Sequence, residues 1–158
     1  MRIVPLLLLG PTALMMASPL LHQTAGSPSE ANSNSLDLYE AVIRFQVKAW
    51  QPSIHTYCVK INGADPDAAL RQRLRALHVK GASACEKLKE NGQMTVVDAK
   101  KKQSVIFDLG AVQNVSDSKV ELQGGYLCGN VCMAQGTYRA FRDRYGWHVA
   151  GFEAQLTF

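Results

Sequence analysis

The strongest constraint on the fold of this chain is a change in the spacing of its apolar residues. From Met94 onward, apolar and polar residues alternate in short segments that are separated by turns. Alternation with a period of two places neighbouring side chains on opposite faces of a strand. The candidate strands are 94–98, 104–109, 119–128, 137–142 and 147–158. This half of the chain is therefore predicted to form an antiparallel meander.

The first half shows a helical period instead. Leu38, Val42, Phe45 and Ala49 fall on one stripe, which predicts a helix over 36–51 that ends at Pro52. A strand over 54–61 follows. A second helix is predicted from Pro66 to about Leu77, with Asp65 as its N-cap.

This order of elements predicts an α+β fold. We expect the N-terminal helix and a second short helix to pack on one face of a curved antiparallel sheet of about four to five strands. The length of 158 residues suits one such domain. We place it over residues 36–158.

The N-terminus has the layout of a secretory signal. Arg2 is followed by a mostly apolar stretch up to Leu21, and small polar residues come next, with Ala25, Ala17 or Ser18 as candidates for the cleavage position. We therefore predict a signal peptide over 1–26. A membrane location would follow only if this segment stays uncleaved. Residues 27–35 are rich in Ser and Asn and are predicted to be a flexible tether.

All four cysteines, Cys58, Cys85, Cys128 and Cys132, lie after the predicted signal. An even number in an exported chain favours disulfides, although four cysteines allow three connectivities. Gly129-Asn130-Val131 between the last two is a turn-forming insert, so we expect Cys128–Cys132 together with Cys58–Cys85.

Two other readings of the Cys128-x-x-x-Cys132 pair are a metal site and a redox pair. A structural zinc site needs four ligands at tight spacing, and neither the other cysteines nor the four histidines lie near this pair in sequence. A redox motif has two residues between its cysteines and opens a helix. We therefore interpret the pair as a structural disulfide, and we expect no metal and no cofactor.

The formal charge of +4 falls to +3 once residues 1–26 are removed, because they carry one charge, that of Arg2. One set of basic residues has no aromatic residues interleaved with it, namely Arg71, Arg73, Arg75, Lys80, Lys100, Lys101 and Lys102. Nucleic acid is therefore not an expected partner.

Candidate ligand-binding residues come from the histidines and aromatics of the strand regions. We consider a cup formed by His55, Tyr126, Trp147 and His148, against the simpler reading that the histidines face solvent and the aromatics pack in the core. Nucleophile-elbow, phosphate-loop and zinc-protease motifs do not occur in the sequence, and no catalytic residue is assigned.

Several separated segments carry a resemblance to a known family. They are 39–46, 59–66, 79–85, 124–132, 136–139 and 146–149. In this order they resemble a family of small exported bacterial proteins that has no assigned activity. The resemblance implies a bacterial source and a secreted or periplasmic address. More loosely, the predicted architecture is similar to the cystatin-like and nuclear-transport-factor-like folds, which serve many functions.

The sequence thus leads to an exported domain that binds a protein or small-molecule partner without catalysing a reaction. An alternative is a small cup-shaped enzyme, a hydrolase or an isomerase, with His55 or His148 as base. A dimerisation module with an exposed sheet face is a third reading.

Overall fold

The structure, a computed structural model, describes residues 28–50 and 53–155. The predicted signal peptide over 1–26 lies outside the described residues. The first described element is a long helix, α1 (Pro28–Trp50). It begins earlier than the predicted Leu36, so most of the segment assigned to a tether is helical.

Eight strands in the described part of the chain form one sheet. Their bounds are Thr56–Ile61 (β1), Val79–Gly81 (β2), Cys85–Glu90 (β3), Gln93–Asp98 (β4), Ser104–Ser116 (β5), Lys119–Gly129 (β6), Cys132–Asp143 (β7) and Gly146–Gln155 (β8).

The sheet is mixed. Its main body runs in the order β2-β1-β5-β6-β7-β8, and β1 is parallel to both of its neighbours, β2 and β5. From β5 to β8 each strand pairs antiparallel with the next along the chain. The β3–β4 hairpin joins this body where Thr95 of β4 pairs with Gly129 of β6.

The predicted fold class is therefore wrong in the size and type of the sheet, and in its second helix. The structure has eight strands in a mixed sheet rather than four to five antiparallel ones. The second helix, α2 (Ala68–Arg73), has six residues, and a single 3₁₀ turn over Arg75–Leu77 replaces its predicted end. β2 has only three residues, too few to show an alternating pattern, and β3 is charged at four of its six positions. Parallel pairing between distant strands leaves no local pattern.

The cap of α2 also differs from the prediction. Asp67 is the N-cap, and its Oδ1 accepts a hydrogen bond of 2.7 Å from the backbone N–H of Leu70. The predicted cap, Asp65, instead accepts hydrogen bonds from the backbone N–H and the hydroxyl of Ser83. Asp65 therefore holds the 3₁₀ turn Ala82–Ala84 that leads into β3.

Helix α1 covers one face of the sheet, which we call the inner face. The hydroxyl of Tyr39 donates a hydrogen bond of 3.2 Å to the carbonyl of Gly110 on β5, and Gln46 Nε2 donates one of 2.6 Å to Tyr138 Oη on β7. The ring of Trp50 meets that of Tyr126 on β6 edge to face. Helix and inner face together bury one continuous hydrophobic core.

The two expected disulfides are both formed. Cys58–Cys85 links β1 to β3 with the Cα atoms 6.2 Å apart, and Cys128–Cys132 closes the turn between β6 and β7 with the Cα atoms 5.3 Å apart. They indicate an oxidising environment outside the cytoplasm. Among the described helices, none is both long and apolar enough to cross a membrane.

Candidate functional site

The opposite side of the sheet, the outer face, carries a groove of about 590 Å³. Alternation along the strands decides which residues reach it. On β5, Phe107 and Leu109 are fully buried under α1, so Ile106 and Asp108 point outward. The same argument places Lys60 of β1 and Leu127 of β6 on the outer face, because their neighbours Val59 and Cys128 belong to the core.

Two rows of residues across the strands form the floor of this groove, which we call the outer groove. The first row is apolar and consists of Ile106, Leu127 and Met133, which are direct cross-strand partners. The second row is polar. Its members pair directly from β1 to β8 and are Lys60, Asp108, Gly125, Gln135 and Gln155.

Gly125 explains why the polar row has a gap. It stands between Asp108 and Gln135, so no side chain fills the middle of the row, and these two residues are about 9–10 Å apart at the usual strand spacing. A Cβ atom at this position would lie 2.0 Å from the carbonyl oxygen of Ala134. The position therefore requires glycine, which is the usual meaning of a glycine inside a strand.

One wall of the outer groove comes from Ala82, Cys85 and Lys87. Two attachments hold this wall against the sheet. The disulfide Cys58–Cys85 ties the start of β3 to β1, and Asp65 binds the preceding turn through Ser83. Hydrogen bonds from Ser83 lower the pKa of Asp65, its hydroxyl being the largest cause. Asp65 is thus a carboxylate at neutral pH, the form that accepts both bonds.

The outer groove carries more positive than negative charge. Lys60 Nζ lies 2.6 Å from Asp108 Oδ2, so these two charges form an ion pair within the floor. Lys87 forms no ion pair with any residue that the structure describes. The groove therefore combines an apolar strip, a neutralised pair, two amides and one cation without a counter-charge.

The structure does not bring the four predicted cup residues together. His55 is exposed just before β1. The ring of Tyr126 packs on the inner face, between Trp50 and Phe152, although the residue also contributes to the lining of the outer groove. Trp147 is also on the inner side, in a cleft near the N-terminal half of α1, and among the described residues its buried Nε1 finds no hydrogen-bond acceptor.

His148 points to the face opposite Trp147, as the alternation predicts. Its Nε2 lies 3.0 Å from Asp143 Oδ1, and its ring stacks on Phe141. The pKa of Asp143 is lowered, first by the backbone N–H of Tyr145 and then by His148. This exposed pair sits by the β7–β8 turn and does not line the outer groove.

Of the residues that line the outer groove, the sequence analysis named only Tyr126 as a candidate for a ligand site. One signal was available, the pair Gly124-Gly125 in the middle of a predicted strand, which indicates close approach of a neighbouring backbone. No sequence signal places Lys87 beside Ile106, because β3 was not predicted. The cysteines of the Cys128-x-x-x-Cys132 motif are bonded to each other and supply no metal ligands.

Comparisons of this chain with protein-family models, with curated proteins and with solved structures find no match to any of them.

Proposed function

We propose that this protein is an exported binding domain that holds a small ligand in the outer groove without catalysing a reaction. The observation that carries the proposal is the pairing of an apolar row with a polar row in one open groove. Ligand sites of proteins combine a mainly apolar lining with a few polar groups that fix orientation, in volumes of about 300–1,000 Å³. The outer groove meets each of these conditions.

The apolar row of the outer groove is also separate from the buried hydrophobic core. None of its residues belongs to that core, and Met133 keeps 59% of its surface exposed. Exposed apolar side chains that line a concave surface are the ones that lose contact with water when a ligand binds. Their arrangement supports a binding role.

A neutral fluorescent probe tests this proposal. N-phenyl-1-naphthylamine, which is apolar and uncharged, is titrated into the mature protein and into two variants, Met133→Asp and Phe141→Asp. Both residues are exposed, apolar and on the outer face of β7, but Phe141 lies outside the outer groove. We expect Met133→Asp to weaken binding by about tenfold or more, since the probe must then desolvate a carboxylate.

The Phe141→Asp variant is expected to bind within about twofold of the parent, because its charge is remote from the probe. Equal binding by all three proteins, or no binding by the parent, would contradict a site in the outer groove. Circular dichroism of the three proteins checks that each is folded.

We further propose that the mature protein is secreted or periplasmic and that residues 1–26 are removed on export. The support is the signal-like N-terminus together with two disulfides in the folded part. Mass spectrometry of the exported protein without reducing agent determines both the mature N-terminus and the disulfide bonds. Four free thiols, or an intact N-terminus in a membrane fraction, would overturn this address.

A small enzyme with a histidine base is the second candidate, and the contact between His148 and Asp143 is the observation that favours it. A carboxylate that orients an imidazole is a common part of general-base sites. The test is a broad screen of hydrolase and isomerase substrates with the parent, His148→Ala and His55→Ala. Any activity that both variants retain in full removes the histidines as the base.

A further inference from the structure

The position of Lys87 narrows the chemistry of the ligand. Cys85 and Lys87 are two residues apart on β3, so their side chains leave the strand on the same side. The disulfide to Cys58 holds that side against the outer groove, and both residues line it. Lys87 is therefore placed at the wall of an apolar strip, on a strand that a covalent link ties to β1.

The neighbouring charges leave this cation without a partner in the described part of the chain. Lys60 is already paired with Asp108, and Glu86, the acid next to Lys87, binds Lys101 on the other side of the hairpin. Among the residues lining the outer groove, two lysines stand against one carboxylate. The groove has a net charge of one positive unit.

We propose that the ligand of the outer groove is a small amphiphile with one anionic group, such as a carboxylate, on an apolar body. The anionic group binds Lys87, and the apolar body lies along Ile106, Leu127 and Met133. We expect an anionic ligand because its charge can pair with the unpaired ammonium group of Lys87. A purely apolar ligand would leave that group without a partner. This inference rests on the proposed function of the groove.

The experiment compares two competitors of equal chain length, octanoate and 1-octanol, for displacement of N-phenyl-1-naphthylamine. They differ in the charge of the head group. In the parent protein we expect octanoate to compete about two- to fivefold better than octanol, as an exposed ion pair allows. The advantage is expected to shrink as salt is added.

Two variants with the same change of net charge identify the residue that causes the preference for octanoate. Lys87→Gln is expected to remove the preference for octanoate while binding of octanol and of the neutral probe stays the same. Lys89→Gln is the matched control, because Lys89 lies on the same strand but does not line the outer groove. It is expected to keep most of the preference.

Each outcome has a separate meaning. If the neutral probe does not bind the parent, the proposed function itself fails. If the probe binds but octanoate and octanol compete equally, the groove is a binding site and the anion inference is wrong. If both lysine variants lose the preference to the same extent, the effect comes from overall charge, and the assignment to Lys87 is overturned.

Discussion

The two faces of the sheet are built from the same strands and yet differ in what covers them. On the inner face, Phe107, Leu122 and Tyr138 are completely buried under α1. On the outer face, their strand neighbours Ile106, Gln123 and Arg139 are partly or largely exposed. The comparison shows that the inner face forms the hydrophobic core with α1, whereas the outer face keeps an open, partly apolar groove, for which we propose a binding role.

The largest expected difference in the free energy of unfolding is between substitutions at two adjacent residues of β5. Phe107→Ala should lower the free energy of unfolding by about 3–5 kcal/mol, because it opens a cavity in the core. Ile106→Ala, one residue away on the outer face, should cost less, about 1–2 kcal/mol, since this side chain keeps part of its contact with water. Urea unfolding followed by circular dichroism measures both values. Similar losses for the two variants would show that the outer face is also part of the stabilising core.

The two disulfides provide the next comparison, because Cys58–Cys85 lies on the outer side and Cys128 belongs to the core. Replacing Cys58 and Cys85 by Ala should cost about 3–4 kcal/mol, against about 2 kcal/mol for the pair Cys128 and Cys132, because the first closes a longer loop. Only the first change should also weaken binding of the neutral probe, as it releases the wall that carries Lys87. Loss of probe binding in the second pair alone would contradict this division.

A third comparison concerns two buried tyrosines of the inner face. Tyr138→Phe should cost about 1–3 kcal/mol, because it leaves the buried Nε2 of Gln46 without its acceptor. Tyr57→Phe should cost nothing and gain up to about 1 kcal/mol, since the buried hydroxyl of Tyr57 has no hydrogen-bond partner among the described residues. Thermal and urea unfolding of both variants measure whether each substitution lowers or raises the free energy of unfolding. A loss in Tyr57→Phe as large as that in Tyr138→Phe would show that this hydroxyl is satisfied in solution.

The pH dependence of the same variants gives a second measurement. Burial raises the pKa of both tyrosines above the ordinary tyrosine value of 10.0, so the folded state keeps protons that the unfolded chain releases. Their contribution to stability is fully present below about pH 10 and is lost as the pH rises through the raised values. Each Phe variant should therefore show a shallower alkaline decline than the parent.

These faces were only partly predictable from the sequence. The stripe of Leu38 and Val42 correctly indicated the helix, and the alternation after Met94 correctly indicated strands, because both are local patterns set by burial on one side. The disulfide pairing was also correct. The parallel placement of β1 beside β5 was not predictable, because it joins segments that are distant along the chain.

The candidate site shows the same limit more sharply. His55, Tyr126, Trp147 and His148 were chosen by residue type, and the structure distributes them over both faces and an exposed segment before β1. The outer groove depends instead on cross-strand register, which places Lys60, Asp108 and Gln135 in one row. Register requires knowledge of which strands are neighbours, and neither the three residues of β2 nor the mostly charged β3 was recognised as a strand from the sequence.

The smallest expected effect comes from the charges of the outer face. Arg139 of β7 lies between Glu153 on β8, at 2.6 Å, and Glu121 on β6, at 3.3 Å. Arg139→Gln should lower the free energy of unfolding by about 0–1 kcal/mol, because all three side chains are solvated, and about 0.5 M salt should remove the difference. Arg142→Gln is the control, since Arg142 is exposed on the same strand and forms no ion pair with the described residues. A loss above about 2 kcal/mol that persists in salt would mean that the outer face stabilises the sheet as the inner face does, and that its openness is not what distinguishes it.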